Sequence, residues 1–447
     1  MTLMVSAFSA QSAALAVLSA SSAAVSAAPT QVTFAAKDAG EAIATITASC
    51  EKCDWGVEGR EAATLRVSLD GKYSQHLVLV RGDNRADYRI TLGPVVAGPH
   101  NLSIETDDTL SAKGIGAVAV RGIRTEVMPV RTDEQIAQSM APILYARPNT
   151  VGKFTDVPVF MWYEIVPVKD GRQFRYSVIF TNEDGGTATD RLMATWGRTT
   201  DIEFVYGITA PAAGSQAREE IQAEGHKWVP FAGPRLGTHP VLWVATENNM
   251  VADHGPDEAI RYAPAPELIA LGHASREAVM DERPWTYAIT SAEMRREGRV
   301  DPAAPPGSGK IPDPRRYATI EGCGEVRDAT LAFDIGVRRG SEIAWFATDR
   351  GETKFRIARG GCFRGGAPLP DGVSPSDIAA LRVRAYTRPV REGERPLPPG
   401  TGHVVLQRIN RVFMLDAAFV PSPSAIQWKG SLDVPTDSAP VEIPARR

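Results

Sequence analysis

Short runs of alternating polar and apolar residues, separated by glycines and prolines, recur along this chain and restrict its fold more than any other feature. The 39 glycines and 33 prolines among 447 residues end these runs at close intervals. In the stretch Thr64–Leu69, for example, apolar and polar residues alternate, and the hairpin-turn dipeptide Asp70-Gly71 follows. Alternation with a period of two indicates strands with one buried face, and frequent turns between such strands indicate β-sandwiches. We therefore predict a mostly β, multi-domain β-sandwich protein, jelly-roll-like, with a few short helices.

Changes in composition divide the chain into five parts. Residues 1–28 are rich in alanine and serine, contain a short apolar core and end at small residues, as in a signal peptide without a basic start. Strand patterns predict an N-terminal β-sandwich over 29–130, a central β-sandwich with a candidate site over 131–300, and a C-terminal β domain and tail over 317–447. Residues 301–316 are rich in proline and glycine and predict a linker or a long loop. No later apolar run reaches the roughly 20 residues of a membrane helix, so we expect no transmembrane segment in the mature chain.

The four cysteines indicate two disulfides and thus a secreted or periplasmic protein. Cys50 and Cys53 are close in sequence, and Cys323 and Cys362 form the remaining pair, each beside flexible glycines. The alternative for Cys50-x-x-Cys53 is a redox motif or half of a zinc site. A zinc site requires a second close pair of ligands, and a redox motif requires a strand-to-helix turn. The sequence favours structural bridges.

The stretch 196–206 carries the candidate site. On a strand, Ile202, Phe204 and Tyr206 point to one face, and Asp201 and Glu203 point to the other. Two carboxylates on one face can converge on Ca²⁺ or Mg²⁺, which prefer oxygen ligands. The alternative is an ordinary solvated strand face, on which the two acids contact only water.

The segment from Gly197 to Glu203 is similar to the heptapeptide Gly-His-Arg-His-Asp-Trp-Glu of the necrosis-inducing toxin-like family. It also resembles the Gly-Asp-Trp-Glu segment of the related vacuolar-sorting-associated β-sandwich proteins. Gly197, Asp201 and Glu203 match, whereas Arg198 and Thr200 stand where the toxin-like family has histidines.

The resemblance covers residues 143–256 and includes a later strand that begins with His-Pro, here His239-Pro240. It implies a β-sandwich in which Asp201, Glu203 and His239 hold a divalent cation. Asp253-His254 is a further candidate pair, but neither histidine has the His-x-x-x-His spacing of a zinc site.

Paired carboxylates also suggest a hydrolase that acts on polysaccharide. Asp201 and Glu203 are the candidate catalytic residues, although on one strand both approach from the same side. Glycoside hydrolysis requires two carboxyl groups that flank the bond. A partner on another strand, such as Glu164 or Glu247, would meet this requirement better.

Aromatic residues near the acid pair are candidates for stacking on sugar rings. We select Trp196 and Trp243 as substrate-binding residues, together with Arg198, and note that tryptophans in β-sandwiches more often belong to the core. The net charge of −4 gives no reason to expect a nucleic-acid partner.

These observations predict a secreted or periplasmic, cation-dependent glycan-binding or glycan-cleaving protein. Its partner would be a polysaccharide or another ligand of the cell envelope. The alternative is a non-catalytic structural or interaction protein of the cell envelope.

Overall fold

The computed structural model describes residues 28–169, 171–183, 185–211, 217–256, 260–390, 393–395, 397–398 and 400–444. The predicted signal peptide, apart from Ala28, lies outside the described residues. The described chain is mostly β, with six sheets and four short α-helices, which confirms the predicted fold class. No helix of the described part is long and apolar enough to cross a membrane.

The N-terminal unit is a sandwich of a four-stranded sheet (order β1-β6-β3-β4) and a three-stranded sheet (order β5-β2-β7). Its strands are β1 (Thr30–Ala36), β2 (Gly40–Cys50), β3 (Thr64–Leu69), β4 (Lys72–Val78), β5 (Ala86–Val95), β6 (Gly98–Thr106) and β7 (Val118–Met128). Alternation places Tyr88 and Ile90 of β5 in the core and leaves Asp87 and Arg89 exposed on the outer face.

The central unit has a six-stranded sheet (order β13-β12-β11-β10-β9-β18) and a second sheet (order β14-β15-β8-β17, with β16 beside β15). Its elements are α1 (Asp133–Ser139), β8 (Ile143–Tyr145), β9 (Pro158–Val168), β10 (Gly171–Phe180), α2 (Thr189–Trp196), β11 (Ile202–Pro211), β12 (Arg218–Ala223), β13 (Lys227–Pro230), β14 (Arg235–Leu236), β15 (His239–Val244), β16 (Val251–Ala252), β17 (Arg261–Tyr262), β18 (Glu267–Leu268), α3 (Ala278–Glu282) and α4 (Pro284–Arg296). The pairs β9–β10 and β10–β11 are antiparallel, whereas β15 and β8 are parallel.

The segment 301–316 is a long loop that packs against the central unit. Asp190 of α2 accepts backbone hydrogen bonds from Gly307 (2.8 Å) and Gly309 (3.2 Å), and Ile311 is completely buried. These contacts fix the loop on the protein surface, so it does not act as an extended linker.

The C-terminal unit is also a sandwich, of sheets β22-β19-β24-β25 and β21-β20-β23-β26. Its strands are β19 (Tyr317–Arg327), β20 (Ala329–Arg339), β21 (Glu342–Ala347), β22 (Gly361–Pro368), β23 (Ile378–Thr387), β24 (His403–Phe413), β25 (Trp428–Pro435) and β26 (Val441–Glu442).

Both predicted disulfides are present. Cys50 and Cys53 close the turn that follows β2, and Cys323 and Cys362 are opposite each other in the β19–β22 pair, with their Cα atoms 4.0 Å apart.

The N-terminal and central units share one hydrophobic core. Tyr262 and Ile289 of the central unit pack in the same buried cluster as Ile46 of β2. The backbone also joins the units, because Thr91 of β5 donates to the carbonyl of Ala263 at 2.8 Å. The two units are therefore held in a fixed orientation.

A buried ion network joins the C-terminal unit to the central helices. Arg364 of β22 is fully buried and donates from Nε to Glu321 at 2.6 Å. Its other nitrogens donate to Asp281 of α3 and, at 2.9 Å, to the hydroxyl of Tyr287 of α4. Because each charged group here is paired, the burial of the guanidinium is tolerated.

Candidate functional site

The predicted acid pair lies at the start of β11, on the inner face of the central sandwich. Glu203 is opposite Val178 of β10, and residues opposite each other in an antiparallel pair share a face. Val178 belongs to the buried core, so the carboxylates point towards the protein interior. The interpretation of a solvated strand face is therefore wrong.

The predicted alternation along β11 is broken by a β-bulge. The register shifts between Tyr176 and Ser177 of β10, which leaves Val205 as the extra residue. Ile202 still points away from the acid pair, but Tyr206 is brought onto the same face as Glu203. The prediction that Ile202, Phe204 and Tyr206 share one face is thus wrong for Tyr206.

Burial strongly perturbs the acid pair. Asp201 and Glu203 are 1% and 4% exposed. Burial and the neighbouring carboxylate of Glu203 raise the pKa of Asp201 well above its usual range, and burial raises the pKa of Glu203. The pair therefore favours protonated over ionised carboxyl groups.

Three further side chains, those of Arg198, Glu277 and Asn249, form a buried polar cluster with the acid pair. Arg198 approaches Asp201 Oδ1 at 3.6 Å and Glu277 Oε1 at 3.5 Å. Asn249 donates from Nδ2 to Asp201 Oδ2 at 3.3 Å. Four of the cluster's buried atoms have no hydrogen-bond partner within the described chain: Glu203 Oε2, Asn249 Oδ1, and Nε and Nη1 of Arg198. Such atoms in folded proteins are usually satisfied by water or an ion.

Glu183, which follows β10, is one of two buried acids near this site that the sequence did not predict; the other is Glu277. Glu183 is 4% exposed and accepts a hydrogen bond from the backbone of Thr187 at 2.6 Å. Burial, and then the charge of Asp201, raise its pKa to about 7. Its sequence context, a polar turn, gave no signal of burial.

The structure does not bring His239 to the acid pair. Its Nδ1 bonds the carbonyl of Ala141 at 2.8 Å and its Nε2 bonds Glu41 at 3.0 Å, so both nitrogens are engaged. His239 begins β15, whereas the turn that carries Asn249 to the acid pair follows the far end of that strand. The predicted ligand set of Asp201, Glu203 and His239 is therefore not assembled, because His239 serves instead to join the central unit to β2.

Within the described residues, no group of three histidine, cysteine or acidic side chains is arranged to hold a metal ion. A cation at Asp201 and Glu203 would need its remaining ligands from Asn249 Oδ1 and water, with the guanidinium of Arg198 close by. The second predicted pair, Asp253-His254, forms a contact of 2.8 Å in which the histidine is 89% exposed.

The predicted substrate-binding residues lie in packed surroundings. Trp243 stacks on Tyr145 with ring centroids 5.2 Å apart, and its Nε1 donates to a backbone carbonyl at 3.0 Å. The ring of Trp196 is covered by the guanidinium of Arg359 at 4.7 Å, and Arg198 is 5% exposed. None of the three predicted residues lines the cleft between the N-terminal and central units that is described next.

A cleft of about 540 Å³ opens between the N-terminal and central units. One wall is the outer face of the three-stranded N-terminal sheet together with β4 and the turn after it, which carries Arg81. The other wall comes from β9, the start of α4 and the segment around β17. Trp285, at the start of α4, is half-buried here, with Arg81 4.7 Å above its ring and Phe160 at its edge. Sequence reasoning missed the cleft because its walls come from segments that lie far apart in the sequence, such as those of Tyr88 and Trp285.

Arginines outnumber acidic side chains in the lining of this cleft. The lining includes four arginines and two acids: Arg81, Arg89, Arg124, Arg283, Asp87 and Glu267. Asp87 is held by Arg124 at 2.9 Å, and Glu267 is held by Arg283.

Comparisons with known proteins do not identify this chain. No family model matches, and no curated protein matches. Among solved structures, the chain aligns with the lectin from Pleurotus ostreatus in complex with GalNAc at 9% identity, covering 89% of this chain and 81% of that chain, with a TM-score of 0.12. A TM-score this low is no indication of a common fold.

Proposed function

We propose that this is a secreted or periplasmic glycan-binding protein and that its ligand occupies the cleft between the N-terminal and central units. The observation that supports this proposal is the lining of the cleft, where half-buried Trp285 lies beside guanidinium and carboxylate groups. The volume of about 540 Å³ is within the roughly 300–1,000 Å³ of small-ligand sites. An aromatic ring beside planar polar groups suits a sugar, which has apolar faces and a polar edge.

Two disulfides support an oxidising compartment, because such bonds persist mainly in exported proteins. The prediction of export depends also on the signal-peptide pattern of residues 1–28, and it remains a part of this proposal.

We favour binding over cleavage. Asp201 and Glu203 do not line the cleft, and both extend from the start of one strand. Hydrolysis of a glycosidic bond requires two carboxyl groups on either side of the bond. Asp87 and Glu267 do line the cleft, but each is engaged by an arginine.

A divalent cation at Asp201 and Glu203 is a separate proposal. Its support is the pair of buried oxygen atoms without a hydrogen-bond partner in the described chain, Glu203 Oε2 and Asn249 Oδ1, since Ca²⁺ and Mg²⁺ prefer oxygen ligands. The imidazole of His226 approaches Glu203 Oε2 only to 4.0 Å. The cation would compete with the protons that the pair favours, so binding should strengthen as the pH rises.

The proposed function is tested by titration of the purified protein with soluble oligosaccharides and by calorimetry. We expect Trp285→Ala to weaken binding at least tenfold, because the ring supplies the apolar platform. Trp228→Ala, at a tryptophan that is 48% exposed and outside the cleft, is the matched control and should leave affinity unchanged.

Trp285 also packs on Phe160, so its variant must be checked for folding by its melting temperature. If that variant is unfolded, Arg81→Ala removes the group above the ring and should weaken binding as well. Absence of binding to every saccharide, or wild-type affinity in the folded cleft variants, would overturn the proposal and leave the alternative of a non-catalytic structural or interaction protein.

A further inference from the structure

The acidic groups of the cleft are already neutralised by their neighbours. Asp87 accepts hydrogen bonds from Thr47 at 2.5 Å and from Arg124 at 2.9 Å, and these two contacts lower its pKa. Glu267 is paired with Arg283 across the opposite wall. Each acid of the lining therefore has a cation of its own, and two arginines remain.

The first of the remaining cations, Arg81, lies over an aromatic ring. Its guanidinium carbon lies 4.7 Å from the centroid of Trp285. No ion pair joins this guanidinium to an acid of the described chain, and burial lowers its pKa. A guanidinium that lies over a ring can still donate from its N–H groups, and its planar edge matches the two oxygens of a carboxylate.

The second remaining cation, Arg89, belongs to the neighbouring sheet wall. Arg89 of β5 and Arg124 of β7 both pair with Thr45 of the central strand β2, so the two arginines share one face with Asp87. Because Arg124 is taken by Asp87, Arg89 adds a positive charge that no acid in the described residues pairs with. Its side chain is exposed and lines the cleft.

We propose that the cleft selects an acidic saccharide, one whose carboxylate is bound by Arg81 and Arg89 while its sugar ring contacts Trp285. This inference depends on the proposed function and specifies its ligand class. The shared chemistry is that of an anionic group on a sugar, and a sulfated sugar is the second source of the same charge. Bidentate geometry favours the carboxylate, because its two oxygens are coplanar with the guanidinium edge.

The inference is tested with four probes of equal length: an oligogalacturonate, its methyl ester, a neutral oligogalactoside and a sulfated oligogalactoside. We expect the oligogalacturonate to bind at least tenfold more tightly than its methyl ester, and this preference should weaken with added salt. Arg89→Gln and Arg81→Gln should each remove most of the preference while some affinity for the methyl ester persists.

Arg121→Gln is the matched control, at an exposed arginine of β7 that does not line the cleft, and it should retain the preference. Because Arg89 is exposed, its variant is expected to fold. A loss of preference in this variant can therefore be attributed to the missing charge. Equal affinity for the acid and its ester, with Trp285→Ala weakening both, would overturn this inference and leave the proposed function intact. Tighter binding of the sulfated probe than of the oligogalacturonate would overturn the assignment to a carboxylate. If no probe binds, the inference fails, and the proposed function fails with it only if every other saccharide tested also does not bind.

Discussion

Replacement of Glu183 by glutamine should change how the stability of the protein depends on pH. The pKa of this carboxyl rises from its ordinary value of 4.5 to about 7 in the folded protein, because the group is buried next to Asp201. Since the folded state binds this proton more tightly than the unfolded chain does, the stability that it contributes is fully present below pH 4.5 and is lost as the pH rises through about 7. A rise from 4.5 to about 7 corresponds to about 3 kcal/mol, at about 1.4 kcal/mol per tenfold change in proton affinity.

The substitution Glu183→Gln keeps the acceptor oxygen that receives the backbone N–H of Thr187 and removes the titration. The free energy of unfolding of the variant, relative to the wild type, should therefore increase by about 3 kcal/mol between about pH 4 and about pH 8. The measurement is urea denaturation at both pH values with the disulfides intact. Carboxyls outside the buried cluster around Asp201 titrate in both proteins and cancel in the comparison. The charge of Glu183 also helps to raise the pKa of Glu203, so its removal acts on the difference in the same direction.

Glu105→Gln, the same chemical change at a carboxylate that is 45% exposed, is the control and should give a pH profile parallel to that of the wild type. A difference between the wild type and Glu183→Gln that stays constant across this pH range would refute the reasoning. Burial of Glu183 would then have no effect on its affinity for a proton.

The remaining predictions concern the ion network, the longer disulfide and the proposed cation. Arg364→Met should lower the free energy of unfolding, measured by chemical denaturation, by about 3–5 kcal/mol, because the buried acids paired with Arg364 lose their cation. The control Arg327→Ala breaks a surface ion pair and should change this free energy by less than about 1 kcal/mol. Replacement of Cys323 and Cys362 by serine removes a disulfide that spans 39 residues and should lower the free energy of unfolding by about 4 kcal/mol. In urea denaturation, the oxidised wild type should be more stable than the reduced wild type, whereas oxidation should not change the serine variant. Removal of divalent cations by EDTA should lower the melting temperature of the wild type but not of Asp201→Asn; equal melting temperatures of the wild type with and without EDTA would count against a bound cation.

The fold class could be predicted from local sequence because its signals are local. The alternation of Thr64–Leu69 and the following Asp70-Gly71 turn correspond to β3 and the hairpin into β4. The start of α1 is a local feature of the same kind, because the hydroxyl of Thr132 accepts from the backbone of Gln135 in a capping box. Such features depend on neighbours within one turn or hairpin, which a single sequence displays.

The candidate site was less predictable because burial and proximity depend on distant segments. The alternation around Glu203 correctly places its side chain on the opposite face of the strand from Ile202. Nothing in the local sequence shows that the face of Glu203 is covered by a second sheet. The bulge at Val205 arises from pairing with β10, so periodicity along β11 alone missed it. His239 has a sequence context that resembles a ligand, yet its partner is Glu41, almost two hundred residues away.

The common core of the N-terminal and central units has a consequence for how a ligand would associate. Backbone hydrogen bonds from Thr91 to Ala263 and from Ala265 to Arg89 fix both walls of the cleft during folding. The site is thus preorganised, so complex formation requires little further loss of main-chain entropy. Association should then follow a single bimolecular step, without a slow phase that reports domain closure.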